Sequence, residues 1–261
     1  MRVALISDLH ANVVALEAVL ADAERAEVDA ILCLGDVATL GPQPAEMLAR
    51  LAELGCTCIR GNHDDFLLDH ALIRRYTEAA IVVEAVEWCQ ERTTDAQREF
   101  LASFVPHVRI PLGGGLDLFA FHGTPRSNME DLLATTPTEQ LDAMLDGHRA
   151  AVMACGHTHI QMLRQHRGTL IVNPGSVGMP FAEFVHGSEP VLMWHAEYAI
   201  VTVRDGVVSA DLRRVPVDMV ASRAAMAASD NPLCHQILAH MDGARAANLG
   251  ERSAQQLTAD S

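Results

Sequence analysis

Five short apolar runs in this chain each end in a residue able to hold a cation. "RVALIS" (2–7) leads into Asp8 and His10, and "AILCLG" (30–35) into Asp36. "CTCIR" (56–60) leads into Asn62 and His63, "LDLFAF" (116–121) into His122, and "AAVMACG" (150–156) into His157 and His159. Short apolar runs bounded by turn residues read as buried strands. In open α/β sheets, ligands bind beyond the carboxyl ends of the strands. One histidine at such an end is an ordinary structural residue. Five strand ends that all carry Asp, Asn or His require a fold that brings them to a common edge.

The spacers between the runs are helical. "NVVALEAVLADAERA" (12–26) carries apolar residues at 13, 16, 19 and 20, and "PAEMLARLAEL" (44–54) repeats the pattern. The first sixty residues therefore read β-α-β-α-β, with right-handed crossovers in a parallel sheet. Residues 64–105 read as helices with turns near 76 and 94, and "TLIVNPGSVG" (169–178) as a strand ending in a Gly/Pro turn. "AIVTVRDGVVSADLRRV" (199–215) is a hairpin about Asp205-Gly206. One or two helices follow from about 217. The expected organisation is α/β, with two sheets face to face and helices outside. One domain spans 1–248, including the C-terminal hairpin and helices (199–245), and a polar flexible tail covers 249–261. The stretches 64–105 and 185–245 are the candidates to wall the edge where the polar residues meet.

Composition excludes several classes. With 49% apolar residues in 261, the chain can bury a sizeable core. It has no run of 18 apolar residues, and "MRVALISDLH" meets a charge too early for a signal h-region. A cytoplasmic protein without membrane attachment is expected. The net charge is −15 and all 19 basic residues are Arg, a poor balance for holding long nucleic acid. Bound cations would still attract a single phosphate group. The cysteines at 33, 56, 58, 89, 155 and 234 have no C-x-x-C spacing and read as buried reduced thiols.

Seven O/N donors, Asp8, His10, Asp36, Asn62, His122, His157 and His159, exceed the four that a structural zinc takes. They suit two ions sharing a bridging carboxylate, the arrangement that clamps the attacking and leaving oxygens of a phosphoryl transfer. His157 and His159, at i and i+2 on an extended segment, would point to opposite sides and so serve different ions. Mixed O/N ligation favours Mn²⁺, with Fe, Zn²⁺ or Ni²⁺ as alternatives, over Ca²⁺.

The motifs D-x-H (8–10), G-D (35–36), G-N-H-D (61–64), H-G (122–123) and G-H-T-H (156–159) together resemble the calcineurin-like metallophosphoesterases. The resemblance covers about 150 residues and implies a four-layer αββα sandwich of two mixed sheets. It implies Asp8, His10 and His159 around one ion, Asn62, His122 and His157 around the other, and Asp36 as the bridge. It makes His63 the catalytic histidine beside the scissile phosphate, work suited to its ordinary pKa. "SDLHANVVALEAVL", "GDVATLGPQP" and "NPGSVG" resemble a bacterial and archaeal branch of small phosphoesterases. Relatives of that branch often carry Arg where this chain has Phe181, and Gly where it has Ala11. Arg126, in "HGTPRSN", is a candidate for a bidentate phosphate contact or else a surface residue after a turn.

The activity these features imply is hydrolysis of a small phosphodiester or nucleotide. A metal-bridging hydroxide attacks in line, and His63 is the proton donor. No Asp-Arg-Gly run follows Asp36, which argues against a protein Ser/Thr phosphatase. A nuclease acting on the same site is the other catalytic alternative. A non-catalytic scaffold of this fold would not need every ligand position filled. His70, His107, His148, His166, His186, His195 and His235 lie outside the motifs and read as structural, as does the Asn173–Ser176 turn.

Overall fold

Strand β1 (Arg2–Ile6) divides its side chains between two cores. Val3 and Leu5 enter one and Ala4 and Ile6 the other, the two-residue period of a strand buried on both faces. The same alternation runs through the sheet it belongs to. That sheet has the order β10 (Val207–Pro216), β9 (His195–Arg204), β1, β2 (Ala30–Cys33), β3 (Thr57–Cys58). β1, β2 and β3 are parallel, and β9 runs antiparallel to β1. The computed structural model describes residues 1–242 other than 186 and 188. The tail expected at 249–261 lies outside them.

A second five-stranded sheet has the order β4 (His107–Gly113), β5 (Leu116–Phe121), β6 (Val152–Ala154), β8 (Thr169–Pro174), β7 (Gln161–His166). β5, β6 and β8 are parallel and the two outer strands antiparallel. Leu118, Ala120, Val152, Ala154 and Val172 of this sheet meet Val3, Leu5, Leu32 and Val201 of the first. Helices α1 (Val13–Arg25) and α2 (Pro44–Leu54) cover the outer face of the first sheet through Leu16, Val19, Met47 and Leu51. Helix α7 (Thr138–Met144) covers the second through Leu141, against Phe119, Phe121 and Met153. The result is the αββα order of layers.

Local chemistry sets the helix limits. The Asn12 side chain caps α1 by accepting from the Ala15 amide at 3.1 Å. Pro44 opens α2, and Gly55 ends it in the left-handed region at φ 61°. The stretch after β3 divides into α3 (Asn62–Leu68), a 3₁₀ turn (His70–Leu72), α4 (Ile73–Tyr76), α5 (Ala80–Glu91) and α6 (Asp95–Ala102). Its breaks fall near the turns expected at 76 and 94. The β9–β10 hairpin turns at Asp205 (φ 52°) and Gly206 (φ 76°), as a two-residue I′ turn requires. The C-terminal part adds α8 (Met219–Ala228) and a helical stretch at 232–242. No helix among the described residues is long and apolar enough to cross a membrane.

Three elements differ from the sequence reading. β4 contains Pro111 and ends in three glycines; it is an edge strand with a register shift between Pro111 and Gly113, where proline is tolerated. β7 reads QMLRQH, without a two-residue apolar period, and pairs with β8 across the turn at Arg167-Gly168. The third strand is shorter than "CTCIR", because only Leu32↔Thr57 and Cys33↔Cys58 pair with β2.

Leu118 is fully buried between the sheets. Leu118→Ala is expected to lower unfolding free energy by about 2–5 kcal/mol, the transfer plus cavity cost, measured by urea denaturation. A loss well below about 1 kcal/mol would contradict close packing of the two sheets.

Candidate metal centre

The parallel strands deliver their carboxyl ends to one edge of both sheets, and the backbone leaves strand geometry there at once. Asp8 (φ 54°), His10 (44°), Asp36 (57°), His157 (69°) and His159 (57°) all occupy the left-handed region. Five of the seven expected ligands thus hold a conformation that costs a side-chain-bearing residue on the order of 1–3 kcal/mol. His157 and His159 are therefore not on an extended segment. β6 ends at Ala154, and the two rings diverge because each residue turns the chain. Ala11 shares the strain at φ 51°, a conformation that glycine would adopt at lower cost.

Hydrogen bonds between the loops hold these turns. The Asp8 amide donates to Gly35 O (2.9 Å), the His10 amide to Asp36 O (3.0 Å) and the Gly156 amide to His122 O (2.7 Å). The His157 amide donates to Asp8 Oδ2 at 3.1 Å, joining the two sheets. Asp64 is the chief brace. Its buried carboxylate accepts from the amides of Asp36 (3.0 Å), Val37 (2.9 Å) and Gly61 (2.8 Å), tying the loop after β2 to the start of α3. A Cβ on Gly61 would collide with Asp36 Oδ1, so only glycine lets these loops close.

Two groups of ligand atoms result. Asp8, His10 and His159 form one, and Asp36, His122 and His157 the other, each with its atoms within 4.8 Å of one another. His10 Nε2 lies 3.1 Å from His159 Nε2, and Asp8 Oδ1 lies 3.4 Å from the latter. His122 Nε2 lies 3.3 Å from Asp36 Oδ2 and 3.1 Å from Asn62 Oδ1. Neighbouring ligands on one ion at the usual bond lengths stand roughly 3 Å apart, which these spacings match. Asp36 belongs to the second group, and Asp8 Oδ1, 3.9 Å from His122 Nε2, reaches toward both.

The donor set fits divalent cations on three counts. Asp8 Oδ1 is buried with no hydrogen-bond partner among the described residues, and an unpaired buried carboxylate is costly without a cation. His122 Nδ1 donates to Leu34 O (2.7 Å) and His159 Nδ1 to Met179 O (2.6 Å), so each turns its Nε2 inward, the nitrogen a cation would take. Among the described residues, no guanidinium pairs with any of the seven.

Charge in the site is set by burial against these carboxylates. Burial opposes a proton on His122, but the Asp36 carboxylate outweighs it and pushes the ring up to about 10. His159 is raised too, against burial, by Asp8. His10 falls well below its ordinary value through burial and the neighbouring His159 and His63. Burial brings His63 down to about 4, against the pull of Asp36.

His63 stands beside both groups. Its amide donates to Asp36 Oδ1 (2.8 Å), its Nδ1 is 3.0 Å from Thr39 Oγ1, and its ring meets His10 edge-on at 5.1 Å between centroids. Arg126 does not join them. Its Nε lies 2.9 Å from Glu130 Oε2, its terminal nitrogen 2.5 Å from Oε1, and it donates to Ala143 O at 3.2 Å. Thr39 and Asp131, whose Oδ1 lies 3.4 Å from His157 Nε2, are site residues without a sequence signature, and Asp64 closes the G-N-H-D motif, which gave it no role. Aromatic rings border the site. Phe181 stacks on His159 at 4.3 Å, and Tyr76 of α4 lies 6.3 Å from His63, so the stretch at 64–105 does reach the site.

Comparison with known proteins agrees with this geometry. Residues 1–206 match the calcineurin-like phosphoesterase superfamily domain, and the chain belongs to that family. It is 26% identical over 193 residues to the uncharacterized protein MJ0912 of Methanocaldococcus jannaschii, covering 68% of this chain and 76% of that one. A metallophosphoesterase from Sphaerobacter thermophilus superposes with a TM-score of 0.69 at 25% identity, over 90% of this chain and 97% of that chain. The hypothetical protein PH1004 of Pyrococcus horikoshii shares the fold with a TM-score of 0.74 at 19% identity, over 91% and 97%.

Metal uptake is expected to release protons. With its pKa raised to about 10, His122 carries a proton at neutral pH in the metal-free protein. A ligating imidazole must be neutral, so apparent affinity rises with pH until that value is passed, about tenfold per pH unit for each proton displaced. Calorimetric Mn²⁺ titrations in buffers of different ionisation enthalpy measure the number released. Uptake with no proton release near neutrality would contradict the charge assigned to this ring.

Proposed function

We propose that the chain hydrolyses small phosphate esters, phosphodiesters or nucleotides, with two divalent cations, Mn²⁺ being the expected ion. The observation that carries this reading is a pair of buried ligand triads with an unsatisfied carboxylate oxygen, next to a buried histidine that is not a ligand. Asp8, His10 and His159 would hold one ion and Asn62, His122 and His157 the other, with Asp36 between them. Cations so held supply positive charge to the phosphoryl oxygens and a water nucleophile at neutral pH.

The side chains do the rest. Asp64 and Thr39 fix the loops that carry Asp36 and His63. A Thr39 hydroxyl donating to His63 Nδ1, 3.0 Å away, would leave Nε2–H as the free donor of the ring. Burial keeps this ring neutral, with its pKa at about 4, so His63 approaches the leaving oxygen as a neutral N–H donor. An arriving phosphate anion favours the protonated ring, which strengthens donation when it is needed. Phe181 and Tyr76 give the rim apolar faces, and the net charge of −15 repels extended polyanions. Short substrates with one phosphate at the ions are therefore favoured over long RNA, DNA or phosphoproteins.

His63→Ala is expected to keep its metals and lose ~10²–10⁴ in rate. The loss should be smaller for esters with good leaving groups, measured on aryl phosphodiesters of graded phenol pKa together with metal analysis. Loss of the ions, or an equal loss for every leaving group, would remove His63 from the donor role. Hydrolysis that rises with substrate length at fixed salt would instead favour a nuclease.

A further inference from the structure

The histidines of the centre differ in which ring nitrogen is already engaged. His122 and His159 place Nδ1 on the carbonyls of Leu34 and Met179 and turn Nε2 toward the other ligands. His10 likewise directs Nε2 at His159. His157 is reversed. Its Nε2 lies 3.4 Å from Asp131 Oδ1, and Asp131 belongs to neither triad. The His157 side chain is 5% exposed and that of Asp131 is 37% exposed, so the contact runs outward from the centre to its rim. The ring nitrogen left for the triad is Nδ1.

We propose that Asp131 is a positioning residue for the second ion: it accepts the Nε2–H of His157 and so fixes the ring with Nδ1 on the metal. This rests on the two-ion reading above. A carboxylate behind a ligating imidazole selects the tautomer, holds the ring plane and raises the basicity of the bound nitrogen. His157 needs such a partner more than its neighbours do. Its backbone is left-handed at φ 69°, and among the described residues it has no carbonyl partner of the kind that orients His122 and His159.

The loop carrying Asp131 is built to hold it there. The Thr124 amide donates to Ser127 O (2.7 Å), and the Thr124 hydroxyl donates to Glu130 Oε2 (2.6 Å). Arg126 grips the same Glu130 carboxylate, and Asn128 Nδ2 donates to Asp65 Oδ2 of α3 at 2.8 Å. A Cβ on Gly123 would strike the carbonyls of Ser127 and Glu130, so the loop folds tightly back on the residue after His122. Arg126 thus acts on the metal centre through Glu130 and this loop. A half-exposed histidine–carboxylate pair adds little to folding stability, so its contribution is to be read on the metal.

The test uses the full chain, with Asp131→Ala and Asp131→Asn beside the unmodified protein. In Mn²⁺ calorimetry the unmodified protein should bind two ions. Asp131→Ala should weaken one step by ~10–100-fold and leave the other unchanged. Asp131→Asn keeps an acceptor oxygen and should recover part of the loss. Melting temperatures in chelator should stay together, which separates positioning from folding. In the Zn²⁺-loaded protein, long-range ¹H–¹⁵N spectra should give His157 protonated at Nε2 and metal-bound at Nδ1, the reverse of His122 and His159. Metal on His157 Nε2, or two ions bound by Asp131→Ala with unchanged affinities, overturns the proposal and leaves the two-ion reading standing. An unmodified protein that never takes up a second ion overturns that reading, and the proposal with it.

Discussion

Asp8 Oδ1 is fully buried and has no hydrogen-bond donor among the described residues, and much of the architecture follows from that one oxygen. An ionised carboxylate in a protein interior must be paired, neutralised or bound to a cation. Here burial and the second buried carboxylate, Asp36, oppose its charge, and His159 and His122 offset them and hold the Asp8 carboxyl below its ordinary value. The loops that create the arrangement are themselves strained, with five ligand-bearing residues in the left-handed region. The two-sheet core supplies the rigidity that holds them, since each loop leaves a strand packed on both faces. Divalent cations would offset both the unpaired charge and the histidine crowding.

The clustering of the candidate ligands was legible because strand ends are short-range features. An apolar run followed at once by Asp, Asn or His places that side chain on the sheet edge whatever the rest of the chain does. The layer order was legible for the same reason: β-α-β alternation and hairpin turns are local. The antiparallel edges β4 and β7 were not. Pro111 and the glycines weaken the strand signal of β4, and β7 depends on pairing with β8.

The residues that tune the centre were hidden by their geometry. Asp64 braces through three backbone amides, Thr39 acts through His63, and Asp131 reaches His157 across 26 residues of chain. Thr39 and Asp131 belong to no sequence pattern, and Asp64, though part of G-N-H-D, shows its bracing role only in the folded loops. Arg126 shows the converse. A guanidinium after H-G invites a phosphate contact, but Glu130, four residues on, already takes it. Phe181 covers one face of His159 and makes that side of the site apolar.

The central claim is that two cations sit at these strand ends. Crystals grown with Mn²⁺ and measured at its absorption edge test it directly. Two anomalous peaks roughly 3.5–4 Å apart are expected, one among Asp8, His10 and His159 and one among Asn62, His122 and His157. A single peak, or ions bound away from both triads, would contradict it.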